Sequence, residues 1–313
     1  MLTNLFKNNV LSYVIVLMMS VLLWGVAYFS FTLDYGQEVN IGEFSFHISK
    51  QHSIIISFVI AMIAGFFLNY RIKKYLLSYE PNNLFLFLYV LLISTQLLSP
   101  NLLVFSLVSF FLAFFVNYLL FFIEDKTHEK QVFNSAILLG ILIFHNPILG
   151  ILIFILIQNL SAIRRVTLKE VILILVGFLI PMGYVFMISS LVDNPNNSLT
   201  DININYEFPK INWKYGVVFL LFIFLSINGF QMANSKRSGT DINTLRLTKN
   251  LFAFLIASIL VAFISLFIFP QGYAMFVIAV PLSIFLSFYF SNSSFKWKEL
   301  LFLICIGATF LLR

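Results

Sequence analysis

"LLSPNLLVFSLVSFFLAFFVNYLL", residues 97–120, indicates the class of fold, because from Asn101 to Leu120 it contains no Asp, Glu, Lys or Arg. An α-helix rises about 1.5 Å per residue, so about 20 apolar residues cross the roughly 30 Å of a bilayer core. Proline fixes φ and suits a helix end, where a backbone donor is spare, which explains Pro100 at the start. The stretch therefore predicts a tight turn followed by a membrane-crossing helix.

The rest of the chain repeats this pattern. The protein has 313 residues, of which 60% are apolar and 10% charged, against about 25% charged in an ordinary soluble domain. We therefore predict an all-α polytopic membrane bundle in which residues 1–313 form a single integral membrane domain. The other ten apolar runs are 11–33, 53–70, 84–98, 132–145, 148–163, 171–192, 215–233, 250–269, 273–290 and 299–312.

The positions of lysine and arginine predict the orientation. If all eleven runs cross and the N-terminus is cytoplasmic, every Lys and Arg except Lys50, Lys210, Lys214 and Arg313 lies on the cytoplasmic side. The positive-inside rule favours this arrangement over its inverse and predicts a multi-pass protein of the bacterial inner membrane. The cations are scattered at the ends of apolar runs, which is typical of membrane anchoring and argues against a nucleic-acid partner.

The number of crossings has an alternative. Residues 132–145 and 148–163 are short, both outer ends of the pair are cytoplasmic, and His145-Asn146-Pro147 joins them. Residues 132–163 could therefore form a re-entrant hairpin. Eleven crossings are preferred, and nine follow if this pair re-enters and another short run does not span.

Two outer loops, 34–52 and 193–214, change from the helical period to a period of two. Val39 and Ile41 alternate with polar residues, as do Phe44, Phe46 and Ile48, about a Gly42-Glu43 connection. This pattern predicts a β-hairpin over 39–48, with residues 202–208 as a third strand. Because a lone hairpin is marginal in water, we expect the three strands to form a small periplasmic β cap.

Catalytic motifs are absent from the sequence. There is no Walker A loop, dinucleotide-binding GxGxxG or HExxH, and the single cysteine, Cys305, excludes an internal disulfide and a CxxC pair. We predict no cofactor and no metal site. Amides do lie within the runs, and we expect them to hydrogen-bond between helices or to line a polar cavity: Asn117, Asn134, Asn159 and Asn228.

Residues 97–120, 132–165 and 170–186 resemble a family of multi-pass inner-membrane proteins of Bacteroidota. The resemblance implies an inner-membrane location and carries no catalytic motif.

The chain is also similar in topology to the polyprenol-phosphate-dependent (GT-C type) glycosyltransferases, which share a cytoplasmic N-terminus and an acidic residue just after helix 1. This similarity implies Asp34 as the catalytic base with Glu38 second. It also implies Lys210, Lys214 and His145 as ligands of a lipid phosphate. The first outer loop departs from the pattern of those enzymes, whose first loop is longer and helical. In this chain the loop is short, and its period of two predicts strands.

These observations lead to three hypotheses. The first is a non-catalytic subunit of a cell-envelope complex for secretion or glycan assembly, whose partners are membrane lipids and other inner-membrane or periplasmic proteins. The second is an enzyme acting on a lipid-linked sugar, with polyprenol phosphate as a ligand. The third is a transporter of lipids or small molecules, which the lack of a charged residue in mid-run disfavours when ions drive transport.

Overall fold

The computed structural model describes residues 5–6, 10–30, 37–41, 44–75, 82–97, 101–121, 129–163, 166–191, 213–236, 242–266, 271–292 and 297–311. Eleven α-helices and one β-hairpin lie within them. The strands are β1 (Gln37–Ile41) and β2 (Phe44–Ile48). The helices are α1 (Val10–Ser30), α2 (Lys50–Tyr75), α3 (Leu84–Ser94), α4 (Leu102–Phe121), α5 (Glu129–His145), α6 (Leu152–Ile163), α7 (Leu168–Leu191), α8 (Trp213–Lys236), α9 (Ile242–Ser265), α10 (Gln271–Asn292) and α11 (Lys298–Leu311).

One of these helices overlaps each predicted apolar run. Within the described residues, five helices are long and apolar enough to cross a membrane: Lys50–Lys74, Leu102–Leu120, Gly216–Ser235, Leu245–Ser265 and Tyr273–Asn292. This agrees with an all-α membrane bundle. The eleven crossings and the cytoplasmic N-terminus stay predictions.

Helices α3 and α10 form the centre of the bundle. All eleven residues of α3 are buried, as are nearly all described side chains of α10 from Tyr273 to Phe290. A helix that is apolar all round has no face to present to water, and such helices occupy cores. Helix α10 packs against α3, α4, α8 and α9, whereas α1, α7 and α8 carry many of the exposed large apolar side chains.

Glycines allow close approach at two helix pairs. A Cβ built on Gly140 of α5 would lie 2.8 Å from the carbonyl oxygen of Phe178 in α7. A Cβ on Gly229 of α8 would lie 2.1 Å from the carbonyl oxygen of Phe285 in α10. Lipid chains are as apolar as the side chains that compete with them, so helices in a membrane associate through such tight packing.

A capping box starts α7. The Thr167 N–H donates to Glu170 Oε2 at 2.8 Å, and the Glu170 N–H donates to Thr167 Oγ1 at 3.4 Å. This T-x-x-E arrangement satisfies two of the donors that the first turn leaves without partners. The neighbouring Lys169 forms a 2.8 Å ion pair with Glu129, so the first turns of α5 and α7 lie side by side.

The predicted hairpin is present in the backbone. Strands β1 and β2 pair antiparallel, with Val39 opposite Phe46 and Ile41 opposite Phe44, and β1 lies against α4. The third strand predicted over 202–208 lies outside the described residues, as does the burial of the strand side chains. The periplasmic cap therefore stays a prediction.

Candidate functional site

A buried polar cluster, here called the Asn83 junction, fastens α1 and α2 to the start of α3. Its centre is Asn83, which is 0% exposed and whose Oδ1 accepts from Asn69 Nδ2 at 3.0 Å and Lys73 Nζ at 2.5 Å. Its Nδ2 donates to Ser12 Oγ at 2.5 Å, and its backbone N–H donates to the carbonyl of Phe6 at 2.7 Å. One amide thus joins segments that are far apart in the sequence.

Lys73 brings a positive charge into this junction. Its Nζ also donates to the Tyr13 hydroxyl at 3.0 Å and lies 4.8 Å from the centre of the Tyr13 ring. The ring face attracts a cation, and the hydroxyl and amide oxygens solvate it. The sequence suggested an anchor at the membrane surface, whereas the structure places the ammonium group in a half-buried site that holds α1 against α2.

The preceding residue extends the connection to α10. Asn82 Nδ2 donates to Ser291 Oγ at 2.5 Å, while Asn82 Oδ1 accepts from the Leu84 N–H at 3.2 Å. The second bond supplies an acceptor to the first turn of α3, where helix donors lack partners. The two consecutive asparagines therefore tie α1, α2, α3 and α10 together at one end of the bundle.

A second polar junction lies just after the C-terminal end of α5. Asn146 is fully buried, and its Nδ2 donates to Ser265 Oγ at 3.2 Å and to the Tyr273 hydroxyl at 3.0 Å. Its Oδ1 accepts from the Ile148 N–H at 3.0 Å and begins the 3₁₀ turn Pro147–Ile151 that leads into α6. Asn146 thus joins the α5–α6 connection to the end of α9 and the start of α10.

A third junction lies among α4, α6 and α9. Asn159 Nδ2 donates to the carbonyl of Leu119 at 3.2 Å, and Asn250 Nδ2 donates to Asn159 Oδ1. This is the bonding between helices that the sequence predicts for Asn159. Asn228 differs, because its Nδ2 donates to the Phe224 carbonyl of its own helix at 2.8 Å.

The structure describes the five predicted site residues to different extents. Asp34 and Lys210 lie outside the described residues. Glu38 is in β1 and Lys214 is the second residue of α8, and both side chains lie outside the described part of the structure. His145 ends α5, half-buried, with its ring 6.0 Å from the ring of Tyr273. Within the described residues, His145 therefore belongs to the Asn146 junction.

The hairpin register separates polar from apolar positions. Glu38 is opposite His47 and Asn40 is opposite Ser45, while Val39 and Ile41 are opposite phenylalanines. Residues that pair across an antiparallel ladder share a face, and neighbours along a strand alternate between faces. The register therefore places Glu38, Asn40, Ser45 and His47 at positions of one face of the sheet.

The sequence reasoning missed Lys50 as a candidate binding residue. It is the first residue of α2 and is only 9% exposed, although cations rarely lie so deep. Next to it, Ser49 caps the helix, because its Oγ accepts from the His52 N–H at 3.3 Å and also bonds to His52 Nδ1. The sequence feature that could have indicated Lys50 is its place between the alternating stretch 39–48 and the apolar run 53–70.

The described residues contain no group of three His, Cys, Asp or Glu side chains that could hold a metal ion. Their polar side chains join helices at the three junctions and at further contacts such as the Lys169–Glu129 ion pair, within an apolar bundle that includes five helices of membrane-crossing length. These features are those of a multi-pass membrane protein. No known protein family, curated protein or solved structure matches the chain.

Proposed function

We propose that this chain is a multi-pass protein of the bacterial inner membrane that acts as a non-catalytic subunit of a cell-envelope complex, in secretion or glycan assembly. The observation that carries the proposal is the hairpin, whose register divides it into an apolar face and a polar face. An isolated two-stranded sheet is marginally stable, so this one requires cover on its apolar face. Its polar positions are then available to a protein partner.

The interior supports the same proposal. Asn83, Asn146 and Asn159 each hold two or more segments together through direct hydrogen bonds. Such bonds, though modest individually, fix the helices in one arrangement. A rigid body that carries an amphipathic hairpin at the connection between α1 and α2 is suited to holding partner proteins in position.

Photo-crosslinking at the polar positions of the hairpin tests this function. A photoreactive residue at Ser45 or Asn40 should give an adduct of defined mass above the monomer in intact cells. The same residue at Leu22, on the exposed surface of α1, is the matched control and should give no protein adduct. A chain that purifies alone and monodisperse in mild detergent, with no adduct from either hairpin position, would contradict the proposal.

The pairing of Glu38 with His47 favours a second candidate, an enzyme that uses a lipid-linked sugar. In this reading Asp34 is the general base and Glu38 the second carboxylate. Lys210, Lys214 and His145 would meet the lipid phosphate. Activation of an acceptor hydroxyl needs a carboxylate within hydrogen-bond reach, and Asp34 follows α1 closely in the sequence.

We expect Asp34→Asn to abolish the biological activity in a complementation assay under this second reading, because an amide cannot accept the hydroxyl proton. Its expression level and thermal stability should equal those of the wild type. Asp193→Asn makes the same carboxylate-to-amide change in the other outer loop, at a residue with no assigned role, and should complement fully. Full complementation by Asp34→Asn would exclude the enzyme and leave the subunit function untouched.

A further inference from the structure

A groove of about 200 Å³ lies between α1 and α2, in the halves of both helices that adjoin the hairpin. Val21 and Ile55, which form part of its walls, are 48% and 47% exposed, so the groove reaches the outer surface of the bundle. Apolar cavities exclude water, and one wall of this groove belongs to α2, which is one of the five helices of membrane-crossing length. The lining residues are Val21, Trp24, Gly25, Tyr28, Ile54, Ile55 and Phe58.

Aromatic side chains form the inner part of the groove. Trp24 is 3% exposed, and its ring centre lies 5.5 Å from that of Phe58. The Trp24 Nε1 atom is buried with no hydrogen-bond partner among the described residues. The inner surface of the groove is therefore aromatic and apolar, which suits the hydrocarbon part of a ligand.

Lys50 is the first residue of α2 and lies one helical turn before the groove residue Ile54, and residues four apart share a helix face. A buried lysine keeps its methylene stem on apolar surface and directs its ammonium group toward the polar boundary. The first turn of α2 adds the partial positive charge of a helix N-terminus. The hydrocarbon-lined groove and Lys50 thus lie along one face of α2.

We infer that the α1–α2 groove is a binding site for a membrane lipid with an anionic headgroup. One hydrocarbon chain lies against Trp24 and Phe58, and the headgroup phosphate meets Lys50 at the start of α2. This site does not depend on the proposed subunit function, because its features are the groove and Lys50 rather than the hairpin.

Fluorescence quenching of Trp24 tests the inference. The reporter protein retains Trp24 and carries Trp213→Phe and Trp297→Phe, and it is placed in bilayers in which one lipid species has brominated chains. One lysine near an anionic headgroup favours it by about five-fold, so brominated phosphatidylglycerol should quench with about five-fold higher relative affinity than brominated phosphatidylcholine. Lys50→Gln should bring that ratio to about one while chain quenching persists. Soluble inorganic phosphate should leave the ratio unchanged.

Filling the groove provides the matched comparison. A Cβ on Gly25 or on Gly183 of α7 meets nothing within 4 Å, so both positions accept a larger side chain. Gly25→Leu should reduce the quenching to background, whereas Gly183→Leu should not change it. If Gly25→Leu shifts the thermal transition, Val21→Phe at the groove wall replaces it. Equal quenching by both lipids, quenching unaffected by Gly25→Leu, or loss of the preference in inorganic phosphate would each overturn the inference.

Discussion

Gly229→Ala should prevent α8 from packing against α10 and should leave little stably folded protein. The added methyl carbon would lie 2.1 Å from the Phe285 carbonyl oxygen and 3.0 Å from its carbonyl carbon. Both atoms belong to the backbone of a helix that is packed on all sides, so neither can rotate away. Overpacking a core costs roughly 1–3 kcal/mol and occasionally more, and this contact belongs at the upper end.

The measurement is the thermal unfolding midpoint in mild detergent, together with the yield of monodisperse protein. Gly216→Ala is the matched control, because it makes the same change on the same helix where a Cβ meets nothing within 4 Å. It should leave the protein as stable as the wild type or stabilise it by up to about 1 kcal/mol, because alanine is the better helix former. Equal midpoints for the two variants would show that α8 and α10 do not approach as closely as the structure has them.

Hydropathy located the helices well and their ends less well. The run 250–269 predicts a helix where α9 is found, but α9 begins eight residues earlier, at Ile242, and passes through Arg246 and Lys249. Helix α2 likewise extends from Lys50 to Tyr75, beyond the run 53–70. Hydropathy reports where the bilayer begins, whereas a helix continues until its backbone donors and acceptors find other partners.

The sequence did not predict which helices pack against one another. In water an apolar stripe identifies the face that turns inward, but in lipid both faces are apolar and the stripe disappears. Gly229 gave no indication that it meets Phe285, and nothing in the sequence pairs Lys73 with Tyr13. The period of two over residues 39–48 was more informative, because it applies to a segment outside the apolar runs, and the backbone hairpin is found there.

The sequence likewise predicted only part of the candidate site. The prediction that amides bond between helices is confirmed for Asn159, whose partners Leu119 and Asn250 come from two other helices. Asn83 and Asn146 were overlooked because they lie in connections, where a polar residue is ordinarily exposed. Both are fully buried, and each bonds to side chains of neighbouring helices, Asn83 to Asn69 of α2 and Asn146 to Tyr273 of α10. A short asparagine side chain can serve there as both donor and acceptor, which an aliphatic residue cannot do.

Asn83→Ala should lower the free energy of unfolding by about 2 kcal/mol, because three side-chain bonds between segments at roughly 0.6 kcal/mol each are lost together. The change leaves Lys73, Asn69 and Ser12 without the oxygen or amide that they share. Buried polar groups that lose a partner keep the full cost of desolvation, so the loss should not fall below this sum. The measurement is again the thermal midpoint in mild detergent.

Asn228→Ala is the control, because that amide bonds to the carbonyl of Phe224 within its own helix, and it should shift the midpoint by far less. The double variant Asn83→Ala with Lys73→Met should be less destabilised than the sum of the two single changes, since the partners interact directly. Strict additivity would mean that Asn83 and Lys73 do not meet.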